Sequence, residues 1–326
     1  MNPPLISVIM PIYNGAADLR RALDTVLSQT FTDFEVIAIN DGSQDETAEL
    51  LNAVDDPRVK VVHQANMGLA ATLNRGLAMA RGALIARQDH DDLSHPERFA
   101  KQVAYLNHNP QCILLGTAAE IWVGDDPSGR AHDHPTDHAL IAFDLLFNNP
   151  FVHSSIMMRR GAVLAIGGYT TDKSRQPPED YELWSRLARR GRVANLPERL
   201  LVYREVPQSI SRTGLNPFLD RLVTLSAENL ALANGLAVPN PTMVDVAAIT
   251  HSAFHRLSRR PDLHAMVEAV QIAGRAIDVN DPRIHARVEE RVGILQYQWM
   301  MHRAGPHWAR QIIRSIRALG RRLPFF

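Results

Sequence analysis

The sequence predicts an α/β fold, in which a mostly parallel sheet is flanked by helices and followed by a helical carboxy-terminal extension. Over residues 5–92, short apolar runs alternate with segments of helical periodicity, and turn residues separate them. Past residue 211, only helical periodicity is found. Strands that alternate with helices form parallel sheets with right-handed crossovers. We therefore expect an α/β domain over residues 1–212 and a helical region over residues 213–326.

Each element of the predicted sheet follows from a local pattern. Apolar runs bounded by turn residues are typical of buried strands, and apolar residues three and four positions apart are typical of helices. The predicted order is strand 5–11, helix 18–28, strand 34–39, helix 47–51, strand 59–62, helix 68–80 and a strand that begins at residue 83. In a parallel sheet with this order, Pro11, Asp41 and Asp89 lie at the same edge, where open α/β sheets bind ligands.

Three carboxylates follow the last of these strands within four positions: Asp89, Asp91 and Asp92. Like charges this close raise one another's pKa unless a cation neutralises them. Hard oxygen ligands suit Mg²⁺ or Mn²⁺ shared with substrate phosphates. The alternative is a solvated acidic turn that caps the helix beginning near Pro96.

Several ordered blocks of the chain resemble those of family 2 glycosyltransferases. They are SVIMPIYN (7–14), INDGSQDET (39–47), NMGLAATLNRG (66–76), IARQDHDD (85–92), GGY (167–169), EDYELWSR (179–186) and LLVYR (200–204). The resemblance covers about residues 5–211. It implies a GT-A (Rossmann-like) fold, a nucleotide-diphosphosugar donor with UDP as the expected carrier, and an inverting mechanism. It also implies a hydroxyl acceptor on a glycan or lipid-linked glycan, in bacterial polysaccharide or glycolipid synthesis.

The resemblance also implies a nucleotide-sugar site. Asp41 can accept a hydrogen bond from a base N–H or a ribose hydroxyl, although a tight turn that starts a helix would also explain it. Arg75 corresponds to a phosphate contact, with an exposed helix arginine as the alternative. The nucleotide-sugar-binding residues expected from the resemblance are Pro11, Tyr13, Asn14, Asp41, Asn66, Gly68, Arg75, Asp89 and Arg204. Relatives often have a histidine where this chain has Val206, so either Arg204 takes over its phosphate role or fewer protein ligands hold the cation.

Metal binding and catalysis need carboxylates in two places. By resemblance, Asp91 is a direct ligand of a divalent cation, and Asp89 contacts the ribose or the metal. A bound cation would neutralise the pyrophosphate leaving group. At the start of a predicted helix, Asp180 is the expected general base, with Glu179 as its neighbour or an acceptor contact. The alternative is that the Glu179–Asp180 pair only complements the helix N-terminus.

Two further acceptor contacts are candidates. His153 could reach the diphosphate or the acceptor, and a structural histidine is the alternative. Trp184 could stack on an acceptor, but packing against the sheet is the main expectation. The histidines at 132, 134 and 138 resemble a zinc site only superficially, because no thiolate accompanies them.

Composition excludes several classes of protein. The chain has 326 residues, with 35 Lys+Arg and 35 Asp+Glu, so overall charge does not indicate nucleic-acid binding. The single cysteine, Cys112, cannot form an internal disulfide and is expected to be a core thiol in a reducing compartment. Neither a signal peptide nor a membrane-spanning segment is visible. We therefore expect a cytoplasmic protein, with the inner face of the cell membrane as a peripheral location.

The end of the chain has its own pattern. From Arg291 onward there are seven arginines and no acidic residue. Residues 308–326 have apolar residues on one helical face and arginines on the others, which suits a bilayer surface and equally a helix docked on the protein itself. Two other functions are alternatives: a nucleotidyltransferase, although no glycine-rich phosphate loop is present, and an inactive sugar-nucleotide-binding or scaffold protein. The oligomeric state is not predicted.

Overall fold

The computed structural model describes residues 3–205 and 215–304. Its strands are β1 (Ile6–Ile12), β2 (Phe34–Asp41), β3 (Val59–Gln64), β4 (Leu84–Arg87), β5 (Leu93–Ser94), β6 (Cys112–Val123), β7 (Asp126–His132), β8 (Met157–Arg159) and β9 (Arg192–Glu205). Its helices are α1 (Leu19–Leu27), α2 (Thr47–Asn52), α3 (Leu69–Met79), α4 (Arg98–His108), α5 (His138–Asp144), α6 (Arg160–Ala165), α7 (Glu179–Ala188), α8 (Leu215–Ala233), α9 (Pro241–Thr250), α10 (Leu263–Ile277) and α11 (Pro282–Arg303).

The strands of the described residues form one sheet in the order β3-β2-β1-β4-β8-β6-β9-β5, and β7 pairs with β6. Strands β1, β2, β3 and β4 are parallel to their neighbours, while β8 is antiparallel to both β4 and β6. Strand β9 lies parallel to β6. The predicted α/β class and the helical carboxy-terminal region are confirmed. Strands β1 to β4 are those that the apolar runs at the amino end predict.

The burial of β1 and β2 explains why the sequence shows them as apolar runs. Every residue of β1 and of β2 is buried, so both strands read as almost continuous apolar sequence. Their side chains enter one core with α1 and α4, in which Val8, Val36, Leu23 and Phe99 are members. Cys112 is also in this core, as expected for a packed thiol, and burial raises its pKa to about 11.

The antiparallel hairpin β6–β7 was not predicted beyond the apolar start of β6. Strand β7 contains mostly polar, partly exposed residues and pairs only with β6, so it has no apolar face to reveal it. His132, at the end of β7, stacks on His134 with ring centroids 5.5 Å apart and meets Tyr203 edge-on at 5.3 Å. His132 and His134 therefore pack as rings, and Tyr203 packs against His132.

Two compact units make up the described chain. The first contains the sheet and comprises Met1–Ala142 with Asn149–Leu215, and the second groups Phe143–Asn148 with the carboxy-terminal helices. Within the second unit, Ser226 and Asn229 on α8 donate to the carbonyls of Leu146 and Leu145, at 2.7 and 2.9 Å.

Two of the carboxy-terminal helices begin at side-chain caps. Asn240 accepts a hydrogen bond from the amide of Met243 and so caps α9, while Asp281 caps α11 through the amide of Arg283. Both helices have proline in their first turn, where the missing N–H is not needed for a helical hydrogen bond. None of the helices described is long and apolar enough to cross a bilayer. Val206 and residues 308–326 lie outside the described residues.

Candidate active site

Parallel pairing brings three strand ends to one edge of the sheet. Ile12 of β1 pairs with Asn40 of β2, and Ile9 pairs with Arg87, the last residue of β4, so the three strands are parallel and end at the same edge of the sheet. Asp41 ends β2, and Asp89 follows β4 by two residues. The topology thus places these two carboxylates at the same sheet edge, as the alternation of strands and helices predicts.

The acidic turn after β4 forms a cluster. Asp89, Asp91 and Asp92 each offer a carboxylate oxygen, and these oxygens lie within 4.8 Å of one another. Burial, together with the neighbouring carboxylates, raises the pKa of Asp91 and raises that of Asp92 well above its usual range. One carboxylate oxygen of Asp92, Oδ2, is buried and has no hydrogen-bond partner among the described residues. A divalent cation fits this donor set, because hard oxygen ligands and an unsatisfied buried carboxylate oxygen are what it requires.

A buried arginine keeps the first of these carboxylates ionised. Arg87, the last residue of β4, is 1% exposed and forms an ion pair with Asp89. Burial alone would raise the pKa of Asp89, but the Arg87 guanidinium lowers it to about 2. Ser154 links the two residues: its hydroxyl donates to Asp89 at 2.8 Å and accepts from Arg87 at 3.0 Å. A second buried arginine, Arg98, donates to the main-chain carbonyls of Arg87 and Ser154. Two buried arginines therefore support the acidic turn. Arg87 pairs with Asp89, and Arg98 binds the main chain of Arg87 and Ser154.

Asp41 organises the loop that follows β3. Its carboxylate accepts hydrogen bonds from the side chain of Gln64 at 2.6 Å and from the main-chain amides of Met67 and Gly68 at 2.8 and 3.0 Å. Arg75 donates to the other end of the Gln64 amide, at 2.6 Å. A carboxylate has about four acceptor positions, so Asp41 holds this turn and still has capacity for a ligand. Both interpretations of Asp41, structural turn and ligand contact, are compatible with this geometry.

The turn after β1 is tied to the turn after β2. Asn14 has a positive φ of 51°, its amide donates to the Ser43 hydroxyl at 2.9 Å, and its side chain accepts from the amide of Gln44 at 2.8 Å. Pro11 is buried within β1, whereas Tyr13 is 44% exposed. Tyr13 and Asn14 are therefore the exposed members of this trio of residues expected to bind the nucleotide-sugar.

Asp180 lies in the first turn of α7. One of its carboxylate oxygens, Oδ2, accepts from the side-chain amide of Asn149 at 2.8 Å, and the other from the amide of Tyr181 at 2.7 Å. Burial raises the pKa of Asp180. Burial and the neighbouring Asp180 carboxylate raise the pKa of Glu179 to about 7. Asp180 forms no ion pair within the part of the chain that the structure describes, so its carboxylate is available to accept a proton.

The aromatic side chains beside this helix pack on one another. Trp184 is fully buried, with its ring 5.7 Å from that of His153 and 6.2 Å from those of Tyr169 and Phe151. The alternative that Trp184 stacks on an acceptor is therefore wrong, because the ring has no accessible face. His153 meets the Tyr169 hydroxyl at 3.0 Å, and burial lowers the pKa of His153 well below its usual range. His153 is therefore neutral and hydrogen-bonded to Tyr169.

Comparison with known proteins agrees with the blocks seen in the sequence. The profile of the family described as "Glycosyl transferase family 2" matches residues 7–167. The amylovoran biosynthesis glycosyltransferase AmsE of Erwinia amylovora is 32% identical over 238 residues, which are 70% of this chain and 86% of AmsE. The chain belongs to glycosyltransferase family 2.

Solved structures show the same fold as this glycosyltransferase. Staphylococcus aureus TarS 1-349, in complex with UDP-GlcNAc, superposes with a TM-score of 0.61 at 16% identity, covering 93% of this chain and 92% of that one. The mannosyltransferase PcManGT from Pyrobaculum calidifontis, in complex with GDP-Man and Mn²⁺, gives a TM-score of 0.52 at 18% identity, covering 93% and 89%. These likenesses confirm the GT-A arrangement expected from the resemblance.

Arg204 in this glycosyltransferase is used differently from the expectation. Its guanidinium is buried and donates to Asp18, to Asp125 at 2.9 Å and to the carbonyl of Gly124 at 3.0 Å. Its main-chain amide donates to the carboxylate of Asp92 at 2.9 Å. A phosphate contact would require the guanidinium to leave these protein acceptors, so its observed role is to hold the acidic turn against α1 and the β6–β7 connection.

Four residues of the glycosyltransferase site were not singled out from the sequence: Arg87, Arg98, Ser154 and Asn149. Arg87 gave one available signal, since a charged residue that ends an apolar strand needs a buried partner. The other three act through partners far away in the chain, and a single sequence carries no mark of such pairs.

Proposed function

We propose that this glycosyltransferase moves a sugar from a nucleotide diphosphate, with UDP as the expected carrier, to a hydroxyl group of a glycan or lipid-linked acceptor, with inversion. The observation that carries the proposal is the state of Asp180. Its carboxylate is oriented by two neutral donors, Asn149 and the amide of Tyr181, and has no ion pair with another described residue. A positioned carboxylate of raised pKa is suited to general-base catalysis.

In this proposal, the sugar is transferred in a single step with Asp180 as the base. Asp180 accepts the proton of the acceptor hydroxyl while the acceptor oxygen forms a bond to the anomeric carbon. The bond between that carbon and the phosphate oxygen breaks, and its electron pair leaves with the nucleotide diphosphate. Because the acceptor attacks opposite the leaving group and no covalent intermediate forms, the anomeric configuration inverts.

Donor binding is assigned to the sheet edge. In this proposal the turn organised by Asp41 holds the nucleoside. Asp89, Asp91 and Asp92 would hold Mg²⁺ or Mn²⁺, which when bound neutralises charge on the diphosphate. Two structural neighbours support the assignment: the TarS complex contains UDP-GlcNAc, and that of PcManGT contains GDP-Man with Mn²⁺. The role of AmsE in amylovoran biosynthesis supports a polysaccharide acceptor.

A donor panel tests the proposal. Thermal unfolding is followed in the presence of UDP-sugars and GDP-sugars, each with and without Mn²⁺. We expect stabilisation by one UDP-sugar class, larger with Mn²⁺, because a ligand that binds only the folded state raises its stability. The transfer product of that donor should have the inverted anomeric configuration by NMR. Stabilisation by GDP-sugars alone would contradict the choice of UDP, and a retained configuration would contradict the mechanism.

A further inference from the structure

The loop between Tyr169 and α7, residues 170–178, contains a tight turn that presents a lysine. The carboxylate of Asp172 accepts from the amide and the hydroxyl of Ser174, at 2.8 and 2.7 Å, and the Asp172 carbonyl accepts from the amide of Arg175 at 3.0 Å. The Asp172 carboxylate is therefore used inside the turn. Lys173 lies between these residues and is exposed.

The start of this loop is fixed to α3. The side-chain amide of Asn74 donates to the Tyr169 carbonyl at 2.8 Å, and its oxygen accepts from the Tyr169 amide at 2.9 Å. Gly168 has a φ of 71°, and a Cβ there would lie 2.5 Å from the Asn74 oxygen. A side chain at 168 would thus displace Asn74. The loop consequently leaves from a defined position beside the helix that carries Arg75.

Lys173 reaches the turn that Asp41 organises. Its ammonium nitrogen lies 3.5 Å from the position that a Cβ on Gly68 would occupy. The amide of Gly68 is one of the groups that donate to the Asp41 carboxylate. Lys173 has no hydrogen bond or ion pair with another described residue, whereas Arg175 in the same turn lies 3.8 Å from Glu182 on α7. An uncompensated cation therefore lies beside the turn assigned to the nucleoside.

The other cations near this edge are already engaged with protein groups. Arg87 is paired with Asp89, Arg75 donates to Gln64, and Arg204 is held by Asp18 and Asp125. The carboxylates of the edge repel an anionic ligand unless cations offset them. Among these four basic side chains, Lys173 alone keeps all its donors for a ligand. A lysine ammonium is a compact point charge that binds phosphate oxygens well.

We propose that Lys173 binds the diphosphate of the donor nucleotide. This assignment rests on the proposed function, and it adds a donor-binding residue from the loop 170–178. The ammonium donates to a phosphate oxygen while the Asp41 turn holds the nucleoside. No group is transferred to Lys173, so it is a donor-binding residue and not a catalytic one.

The rarity of lysine makes a direct footprint possible. The sequence contains three lysines, Lys60, Lys101 and Lys173, against 32 arginines. The intact protein is acetylated with an amine-selective reagent in buffer containing Mn²⁺, alone, with UDP or with uridine, and each lysine is followed by peptide mass spectrometry. We expect UDP to slow acetylation of Lys173 at least about fivefold, while uridine, which lacks the diphosphate, has little effect. Equal acetylation of Lys173 with and without bound UDP would overturn the proposal.

Substitutions supply the affinity measurement. Lys173→Met should weaken UDP binding about tenfold by calorimetry with Mn²⁺, the usual order for one charge-assisted hydrogen bond, and leave uridine binding unchanged. Lys173→Arg should retain most of the affinity. The matched control is Lys101→Met, which removes a lysine near Glu97 and Glu198, at 3.6 and 3.8 Å, and should not change UDP binding.

The outcomes distinguish a wrong role for Lys173 from a wrong donor assignment. If wild-type protein binds UDP, and Asp41→Ala but not Lys173→Met weakens that binding, the role of Lys173 is wrong and the donor assignment stands. If wild-type protein does not bind UDP, the donor assignment fails and the role of Lys173 fails with it. Because Lys173 is exposed, its variants should have wild-type thermal unfolding, and calorimetry on them reports binding.

Discussion

The side-chain amide of Asn149 donates a hydrogen bond of 2.8 Å to the carboxylate of Asp180. The two residues come from different elements, since Asn149 precedes the short helical turn His153–Ser155 and Asp180 lies in the first turn of α7. The Asn149 oxygen accepts in turn from the amide of Phe151 at 3.2 Å, which fixes the direction in which its NH₂ group points. The orientation of the candidate base is thus set by a segment 31 residues earlier in the chain.

Asn149→Ala should move the acid limb of the pH–rate profile to higher pH. The hydrogen bond from Asn149 lowers the pKa of Asp180 against the effect of burial, so its loss raises that pKa and protonates the base at a higher pH. The measurement is kcat against pH. Asn148→Ala is the matched control, because Asn148 is the exposed neighbour of Asn149. Identical profiles for Asn149→Ala and wild type would show that the contact does not tune the base.

Asp180→Asn should reduce turnover by a factor on the order of 10² to 10⁴, the usual contribution of a general base. Donor binding should be almost unchanged, because Asp180 is not assigned to the nucleotide. Turnover is measured with the best donor of the panel, and donor affinity by calorimetry on the same sample. Near-wild-type turnover in this variant would rule out Asp180 as the base.

Asp91→Ala should remove the metal-dependent part of donor binding and abolish transfer. In wild type, burial and Asp89 raise the pKa of Asp91, which signals a carboxylate whose charge is not compensated by the protein. UDP affinity is measured with Mn²⁺ and with EDTA, for wild type and variant. The exposed Asp55→Ala serves as the control. Wild-type affinity that does not respond to EDTA would contradict the metal assignment.

Glu179→Gln should make stability less dependent on pH. The folded-state pKa of Glu179 is raised from 4.5 to about 7 by burial and by Asp180. Between these two values the folded protein binds more protons than the unfolded chain, so the free energy of unfolding falls as pH rises from about 4.5 to about 7. The loss attributable to Glu179 is at most about 3 kcal/mol.

Urea unfolding at pH 5 and pH 7 measures this effect. The decrease between the two pH values should be smaller in Glu179→Gln than in wild type. The variant Glu49→Gln, in the exposed part of α2, should behave like wild type. An unchanged decrease in Glu179→Gln would mean that Glu179 is ionised in the folded protein throughout this range.

Deletion of residues 308–326 distinguishes the two interpretations of the arginine-rich end. If this segment binds a bilayer, its arginines should favour anionic lipid by about 1 kcal/mol each near the surface, and high salt should weaken attachment. The truncated protein should then no longer co-sediment with anionic vesicles but keep its melting temperature. A segment that docks on the protein predicts the reverse: no vesicle binding in either form, and a lower melting temperature after deletion.

The parallel half of the sheet could be predicted because its strands are buried on both faces. Residues of β1 and β2 are all buried, so their positions are visible as apolar runs, and the shared edge of Asp41 and Asp89 follows from topology alone. Strand β7 could not be predicted, because it is polar and pairs on one side. Secondary structure is therefore predictable here where burial is complete and not where a strand lies at an edge.

The candidate site was predictable to a different extent. The carboxylates were visible as clusters of like charge, which need a physical explanation wherever they occur. The side chains that orient them were not visible, because Ser154 meets Asp89 across 65 residues and Arg204 meets Asp92 across 112. The packing partners of Trp184 were not visible in the sequence either. A tryptophan near a catalytic motif suggests ligand stacking, and only the packing of Phe151, His153 and Tyr169 around it shows otherwise.

The contact between Asn74 and Tyr169 bears on how this enzyme could be recombined with its relatives. Asn74 binds both the carbonyl and the amide of residue 169, so the contact depends on an amide at position 74 and not on which side chain stands at position 169. An aspartate at 74 would lose the donor, and a leucine would lose both bonds. A chimera that takes the segment after Gly168 from another family member should therefore keep Asn74 from this chain. The same exchange also has to preserve Asn149, because Asn149 donates to Asp180 in the exchanged segment.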